Sequence, residues 1–299
     1  MSSAFHVAGV CSRSGVSLAG NYRGRVPASS DIESRGAGVY RVVVWTVGPS
    51  IETRYEDILA LEADVVVTAR SGNEVRLLKN GCGDHSGMAW VGRHPHRGLG
   101  VISFEPTFAK LNGGKWDQRL EWIAPVSVNG PVSHELLAVW AMNDKAQVKF
   151  KTKPQASQPI QMMRLYRKLL EEQIVIAGDF NNNPIFHRND PNWDMLELIA
   201  LLDAQGFVSA YHSYSGLEHG DPREQPTRFR AEVAGVTARH HTDYCFIPTE
   251  WLPALKRVQV GSPDAWFESV QVEEHVPVVV DFDLPLLTNV ITTSKRLKG

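Results

Sequence analysis

Cysteine is scarce in this 299-residue chain: Cys11, Cys82 and Cys245 are the only three, and no CxxC pair occurs. An odd, scattered set argues against a disulfide framework and against a structural zinc site. It points to a reducing compartment, with a cytoplasmic location as the expectation. No apolar run approaches the roughly 18–20 residues that a membrane span requires. A dominant charge is also missing. The net charge is -2, so the molecule as a whole is not a basic surface for nucleic acid. No repeat of solenoid period is present, no long basic loop declares DNA, and no hydrophobic hairpin declares lipid.

What the chain does have is hydrophobic residues, 43% of the total, enough for one large domain with a substantial core. Short β-type runs rich in branched and aromatic residues recur between turns. Strands are expected at Tyr40–Val47, Val65–Ala69, Gly100–Phe104, Trp122–Val128, Leu136–Met142, Ile174–Gly178 and Phe207–His212. Further strands are expected at Thr227–Arg230, Asp243–Ile247, Val258–Val260 and Val276–Phe282. Helical spacing marks Ile51–Leu61, Ile160–Leu170 and Trp193–Ala204. Many connections are too short for crossover helices, which favours an α/β sandwich of two packed, mainly antiparallel or mixed sheets with helices outside. The domain is expected over 39–285. Residues 1–38, rich in Ser, Gly and Arg, read as a disordered or targeting-like extension, and 286–299 as a loose basic tail.

Charge is uneven. Lys145, Lys149, Lys151, Lys153, Arg164, Arg167 and Lys168 form a run without an acid, readable as a loop and the solvated face of a helix, or as a patch that attracts phosphate. Three strand ends concentrate polar residues beyond what packing requires. They are Asp179-Phe180-Asn181, His240-His241-Thr242-Asp243-Tyr244, and Glu273-Glu274-His275. Each alone is readable as a cap or a turn. Together they supply an acid or base active near neutral pH, carboxylates for a hard cation and an amide to hold an oxygen. That is the set needed for hydrolysis at phosphorus.

These motifs, in order, resemble the endonuclease/exonuclease/phosphatase superfamily, the DNase-I-like fold. Gly178-Asp179-Phe180-Asn181 matches its GDFN motif, Thr242-Asp243-Tyr244-Cys245-Phe246-Ile247 its "IDYIFV" strand, and Glu274-His275-Val276-Pro277-Val278 its "SDHxPV". Tyr40–Val47 resembles "LRVVTWNV", and Ala63–Arg70 resembles "ADVVxLQE". The resemblance implies a four-layer α-β-β-α sandwich and a metal-dependent phosphoester hydrolase, nuclease-like or phosphodiesterase-like, acting on a phosphorylated substrate that includes nucleic acid as an option. It implies His275 as the group that protonates or stabilises the scissile phosphate, Asp243 as the holder of its ring, Asp179 as the base for water and Asn181 as a phosphate ligand. Mg²⁺ or Mn²⁺ would be held by Asp179 and by Glu274, which replaces the family's Asp.

The sequence departs from that pattern at the metal. Thr46 stands where the family has Asn, and Arg70 where it has the metal-binding Glu. Guanidinium offers no lone pair and keeps its charge. Near 4 Å and an effective dielectric of about 20, two unit charges repel by roughly 4 kcal/mol, and a divalent ion doubles this. Three arrangements are open. Arg70 points away and Glu74 replaces it; or Arg70 clamps phosphate in place of the ion; or the site is a pseudoenzyme that binds a phosphorylated ligand or partner. Trp140 stands where many relatives have a His. Arg97, in Gly92-Arg93-His94-Pro95-His96-Arg97-Gly98-Leu99-Gly100-Val101, is read either as a phosphate contact or as part of a plain turn. His94 with His96 is the minor option of a two-histidine metal site, and His240 with His241 is less suited still because strand neighbours face opposite ways.

Overall fold

Val42-Val43-Val44, Val65-Val66-Val67 and Ile174-Val175-Ile176 carry no polar alternation because each strand is buried on both faces. The computed structural model describes residues 31–48, 50–141, 157–172, 174–187, 194–231, 237–270 and 272–298. In chain order the strands are β1 (Val39–Val44), β2 (Val65–Ser71), β3 (Gly87–His94), β4 (Arg97–Ser103), β5 (Phe108–Leu111), β6 (Ile123–Asn129), β7 (His134–Trp140) and β8 (Ile174–Asp179). They continue as β9 (Phe207–Ser209), β10 (Arg228–Ala231), β11 (Thr237–His240), β12 (Asp243–Pro248), β13 (Leu255–Val260), β14 (Glu273–His275) and β15 (Val278–Asp283).

Two six-stranded sheets form, in the orders β13-β15-β1-β2-β4-β3 and β5-β6-β7-β8-β12-β9, with a small third sheet β11-β10-β14. Both large sheets are mixed: β1 pairs parallel with β2, β7 pairs parallel with β8, and the other pairings are antiparallel. The period of two distributes side chains between layers. Val42, Val44, Val65 and Val67 meet Val126, Leu136, Ala138, Val175 and Ala177 between the sheets. Val43 and Val66 face outward under Ile51, Tyr55 and Ile58, beside the α-helix Tyr55–Ala60. Ile174 and Ile176 face outward under the helices Gln158–Leu165 and Met195–Ala204. This is a four-layer α-β-β-α sandwich, as the motifs imply.

Element positions follow the sequence closely, with four corrections. The run expected as one strand over Phe207–His212 is cut after Ser209, whose hydroxyl accepts from His212 N and caps a helix over Ala210–Ser215; Gly216, at φ 68°, ends it. The tail expected to be loose is a helix over Leu284–Lys298, anchored by buried Leu287 and Ile291. Residues 31–38, assigned to the extension, belong to the domain. Ile32 is buried and Asp31 Oδ1 accepts from Trp266 Nε1 at 2.8 Å. Strands β3, β5, β11 and β14 lie outside the expected set; β5, β11 and β14 are short, and β3 carries Gly87 and Gly92 in place of branched residues.

Residues 1–30 and Lys145, Lys149, Lys151 and Lys153 lie outside the described residues. Of the basic run, Arg164, Arg167 and Lys168 are exposed on helices. No helix among the described residues is long and apolar enough to cross a membrane.

Candidate active site

The strand ends that carry the polar motifs meet at one end of the sandwich. β8 and β12 pair so that Asp179 lies opposite Asp243. On its other side β8 packs against β7, where Gly178 is needed: it has φ 146°, and a Cβ there would stand 1.9 Å from the Val139 carbonyl oxygen. Directly after β1 comes Thr46, whose Oγ1 donates to Asp243 Oδ1 at 3.0 Å and so ties the first sheet to the second. His275 closes β14 and is locked by its neighbours, its carbonyl accepting from Trp45 Nε1 at 3.0 Å.

Asp243 is fully buried, and each of its oxygens is engaged. Oδ2 accepts from Thr227 Oγ1 at 2.7 Å and pairs with His275 Nδ1 at 2.8 Å. That bond fixes the ring and leaves Nε2 buried and, among the described residues, without a hydrogen-bond partner. Burial alone would lower the pKa of His275. The carboxylates of Asp243, Glu273 and Asp179 reverse this and raise it to about 10. The imidazolium is therefore the form at neutral pH, and Nε2–H is a donor. Asp179 behaves in the opposite sense. Burial and the charge of Asp243 raise it to about 7, which suits proton transfer near neutrality. Its oxygens accept from the backbone N–H and from Nδ2 of Asn181, at 2.8 and 2.7 Å. Asn181 holds this grip at φ 47°, a left-handed conformation that Asn tolerates.

Asp179, Asn181, Asp243 and His275 are thus brought together. Glu274 is not. In β14 the period of two puts Glu273 and His275 on one face, whereas Glu274 is paired in register with Phe229, a residue of the outer core. Glu273, not Glu274, therefore shares the side of the strand that His275 takes. Arg70 also corrects an expectation: Glu74 does not replace it, since the Glu74 carboxylate is half exposed beside His85. A register shift between Ala69 and Ser71 and a φ of 59° mark a bulge at Arg70, which aims the side chain inward. Its Nη1 donates to Glu273 Oε1 at 2.8 Å. Arg228, opposite His275 on β10, donates through Nε to Glu273 Oε2 at 3.0 Å. Arg97 sits at the tip of the β3–β4 hairpin, exposed, with its guanidinium 5.6 Å from the ring centre of Trp140; β7 pairs Trp140 with Asp179. His94 and His96 are exposed and stacked at that tip. His240 and His241 do diverge. His241 is buried near Tyr211 and His212, whereas His240 packs edge-on to Phe186.

Three residues that the motifs do not mark also contact the cluster: Thr227, Arg228 and Glu273. The two-residue spacing of Glu273 from His275 was a usable signal. Thr227 and Arg228 reach the site only through the pairing of β10 with β14, for which no local pattern exists.

The donor set does not suit a divalent ion of the Mg²⁺ type, which seeks about six oxygens in near-octahedral array. Ligand atoms of Asp179, Asp243 and His275 do cluster within 4.8 Å of one another. However, both oxygens of Asp179 and both of Asp243 are engaged, the Thr46 hydroxyl is spent on Asp243, and Glu274 faces elsewhere. Arg70 adds a positive charge where the resemblance calls for a carboxylate. No step of the reaction is therefore assigned to a metal.

No family model and no curated protein matches the sequence. Solved structures do match. The endonuclease domain of TRAS1, a telomere-specific non-LTR retrotransposon, is 15% identical over 82% of this chain and 99% of its own, with a TM-score of 0.56. An AP endonuclease from Archaeoglobus fulgidus is 13% identical over 82% and 99%, with a TM-score of 0.58. An endonuclease/exonuclease/phosphatase from Beutenbergia cavernae is 17% identical over 82% and 71%, with a TM-score of 0.53. At these identities the likeness is one of fold.

Proposed function

We propose that this chain, which has the endonuclease/exonuclease/phosphatase, or DNase-I-like, fold, is a phosphoester hydrolase centred on His275. The observation that carries the reading is the state of that ring: it clusters with Asp179, its Nδ1 is held by a buried carboxylate, and its Nε2 has no hydrogen-bond partner among the described residues. A protonated imidazole in that setting donates to the oxygen that leaves phosphorus. Asp179, in its ionised form, accepts a proton from the attacking water. The new P–O bond forms to the water oxygen while the ester P–O bond breaks. The water proton passes to Asp179, and the leaving oxygen takes the proton of His275 Nε2. Asp243 stays ionised and orients the ring throughout.

Two of the matching solved structures are endonucleases, so nucleic acid is the first substrate class to assay, followed by small phosphodiesters and phosphomonoesters. The test is turnover of these substrates by the wild type and by His275→Ala. A loss of at least about 100-fold in the variant is expected for removal of a general acid. Equal inactivity of both proteins across the three classes would remove the enzyme reading. The second reading, a module that binds a phosphorylated ligand without turning it over, is favoured by Arg70 and by the closed hydrogen bonding of both aspartates. In that case phosphate binding persists while turnover is absent.

A further inference from the structure

We infer that Arg70, Arg228 and the Nε2 edge of His275 form a subsite for a terminal phosphate group, and that Glu273 closes this subsite as an internal anion which the incoming phosphate displaces. The inference deepens the hydrolase reading and rests on it only in taking phosphate as the ligand chemistry.

Three cationic groups from three strands converge on one carboxylate. Oε1 of Glu273 accepts from Arg70 at 2.8 Å, and Oε2 accepts from Arg228 through both Nε, at 3.0 Å, and Nη2. His275 Nε2 lies 3.9 Å from Oε1, too far for a hydrogen bond. Glu273 thus satisfies the two arginines and leaves the third donor unpaired in a buried position. A buried donor without an acceptor is costly, more so when charged. A carboxylate has two oxygens for three donor groups. A terminal phosphate has three free oxygens in tetrahedral array, and arginine forks match phosphate as well as carboxylate. A phosphodiester offers only two non-bridging oxygens and one charge, so it fits the same three groups less well.

The surroundings support displacement. Arg70 is held at a positive φ in a bulge, a strained conformation for a bulky residue and one that gathers at ligand clamps. The Glu273 side chain is 19% exposed and lies on a short edge element, so it has a route to solvent. Burial would raise its pKa, but His275 and Arg228 hold it well below the usual carboxylate range, so it is an anion at neutral pH.

The experiment is calorimetric titration of inorganic phosphate into the full-length wild type, Glu273→Gln, Arg70→Ala and Arg228→Ala, with dimethyl phosphate as the diester probe. Thermal unfolding of each variant checks its fold. Glu273→Gln is expected to bind phosphate at least tenfold more tightly than the wild type. Each arginine variant is expected to lose at least tenfold, and dimethyl phosphate to bind at least tenfold more weakly than phosphate. Glu273→Asp, which keeps the charge but shortens its reach, gives a second arm with the same sign should the Gln variant fail to fold. Unchanged or weaker phosphate binding in the folded Glu273 variant overturns the inference, as does a diester bound as tightly as phosphate. Binding needs no turnover, so the titration decides the matter even for an inactive protein. Conversely, hydrolysis that depends on His275, with phosphate affinity indifferent to Glu273, removes this inference and leaves the hydrolase reading standing.

Discussion

Thr46 Oγ1 donates to Asp243 Oδ1 at 3.0 Å, and this one hydrogen bond joins the end of a strand in the first sheet to the start of a strand in the second. The residue that replaces the resemblance's Asn has become part of the Asp243 support. Thr46→Val keeps the shape and leaves a fully buried carboxylate oxygen without its donor. Unfolding by urea is expected to show a loss of about 1–3 kcal/mol. A loss within experimental error would mean that the bond is dispensable.

In the proposed reaction Asp243 acts through His275, so Asp243→Asn tests positioning. The amide cannot stabilise the imidazolium, and kcat is expected to fall by about 100- to 10,000-fold. The pH at which the His275 ring gives up its proton is expected to drop, as followed by NMR of the ring. A drop in kcat with an unmoved titration would point to mere structural damage.

Hydrolysis should need Asp179 ionised and His275 protonated. Since Asp179 is raised to about 7 and His275 to about 10, kcat/KM should climb through the first value and decline through the second. Because the donor set does not suit a divalent ion, activity should survive EDTA within about twofold. Restoration by added Mg²⁺ of a reaction that EDTA had abolished would show that the carboxylates reorganise to take the metal.

Acid sensitivity is expected from a different place. Burial lowers His241 to about 4 and His219 to about 3. Against an unfolded value near 6.5, the unfolded chain takes up these protons first as pH falls. The contribution of these two histidines to stability should therefore be level above about 6.5 and decline below it, flattening only near the folded values. For His241 alone the span is on the order of 3 kcal/mol. His241→Gln should flatten the slope between pH 6.5 and 4 in denaturant titrations. An unaltered slope would place the sensitivity elsewhere.

Arg41 interrupts the hydrophobic run of β1, yet it is buried, with Nε 2.7 Å from Asp281 Oδ1 and Nη1 2.8 Å from the Leu61 carbonyl oxygen. Asp281→Ala would leave a buried charge without its main partner. A destabilisation of about 3–5 kcal/mol is expected, read from the denaturant midpoint. Arg257, which also contacts Asp281, sits at the edge and should matter less.

The strands that position the site were legible because their burial on both faces writes itself into uninterrupted valine and isoleucine runs. GDFN announced Asp179 and Asn181, and the polar entry to β12 announced Asp243. The strand over Phe207–His212 failed because Ser209 and His212 carry a cap that periodicity does not register. Glu274 differs from its expectation because the motif sets a carboxylate immediately before the His, whereas strand alternation puts that neighbour on the opposite face and Glu273 on the side of His275.

The sequence by itself determined the layered architecture and the presence of an imidazole, an amide and two carboxylates at strand ends, since these depend on local composition and spacing. Only the tertiary structure decided what Arg70 meets. Its partner Glu273 is 203 residues away in the chain, and their encounter depends on the bulge in β2 and the docking of the small sheet. Such contacts arise from how separate strands register and pack, and no local stretch of sequence encodes that geometry.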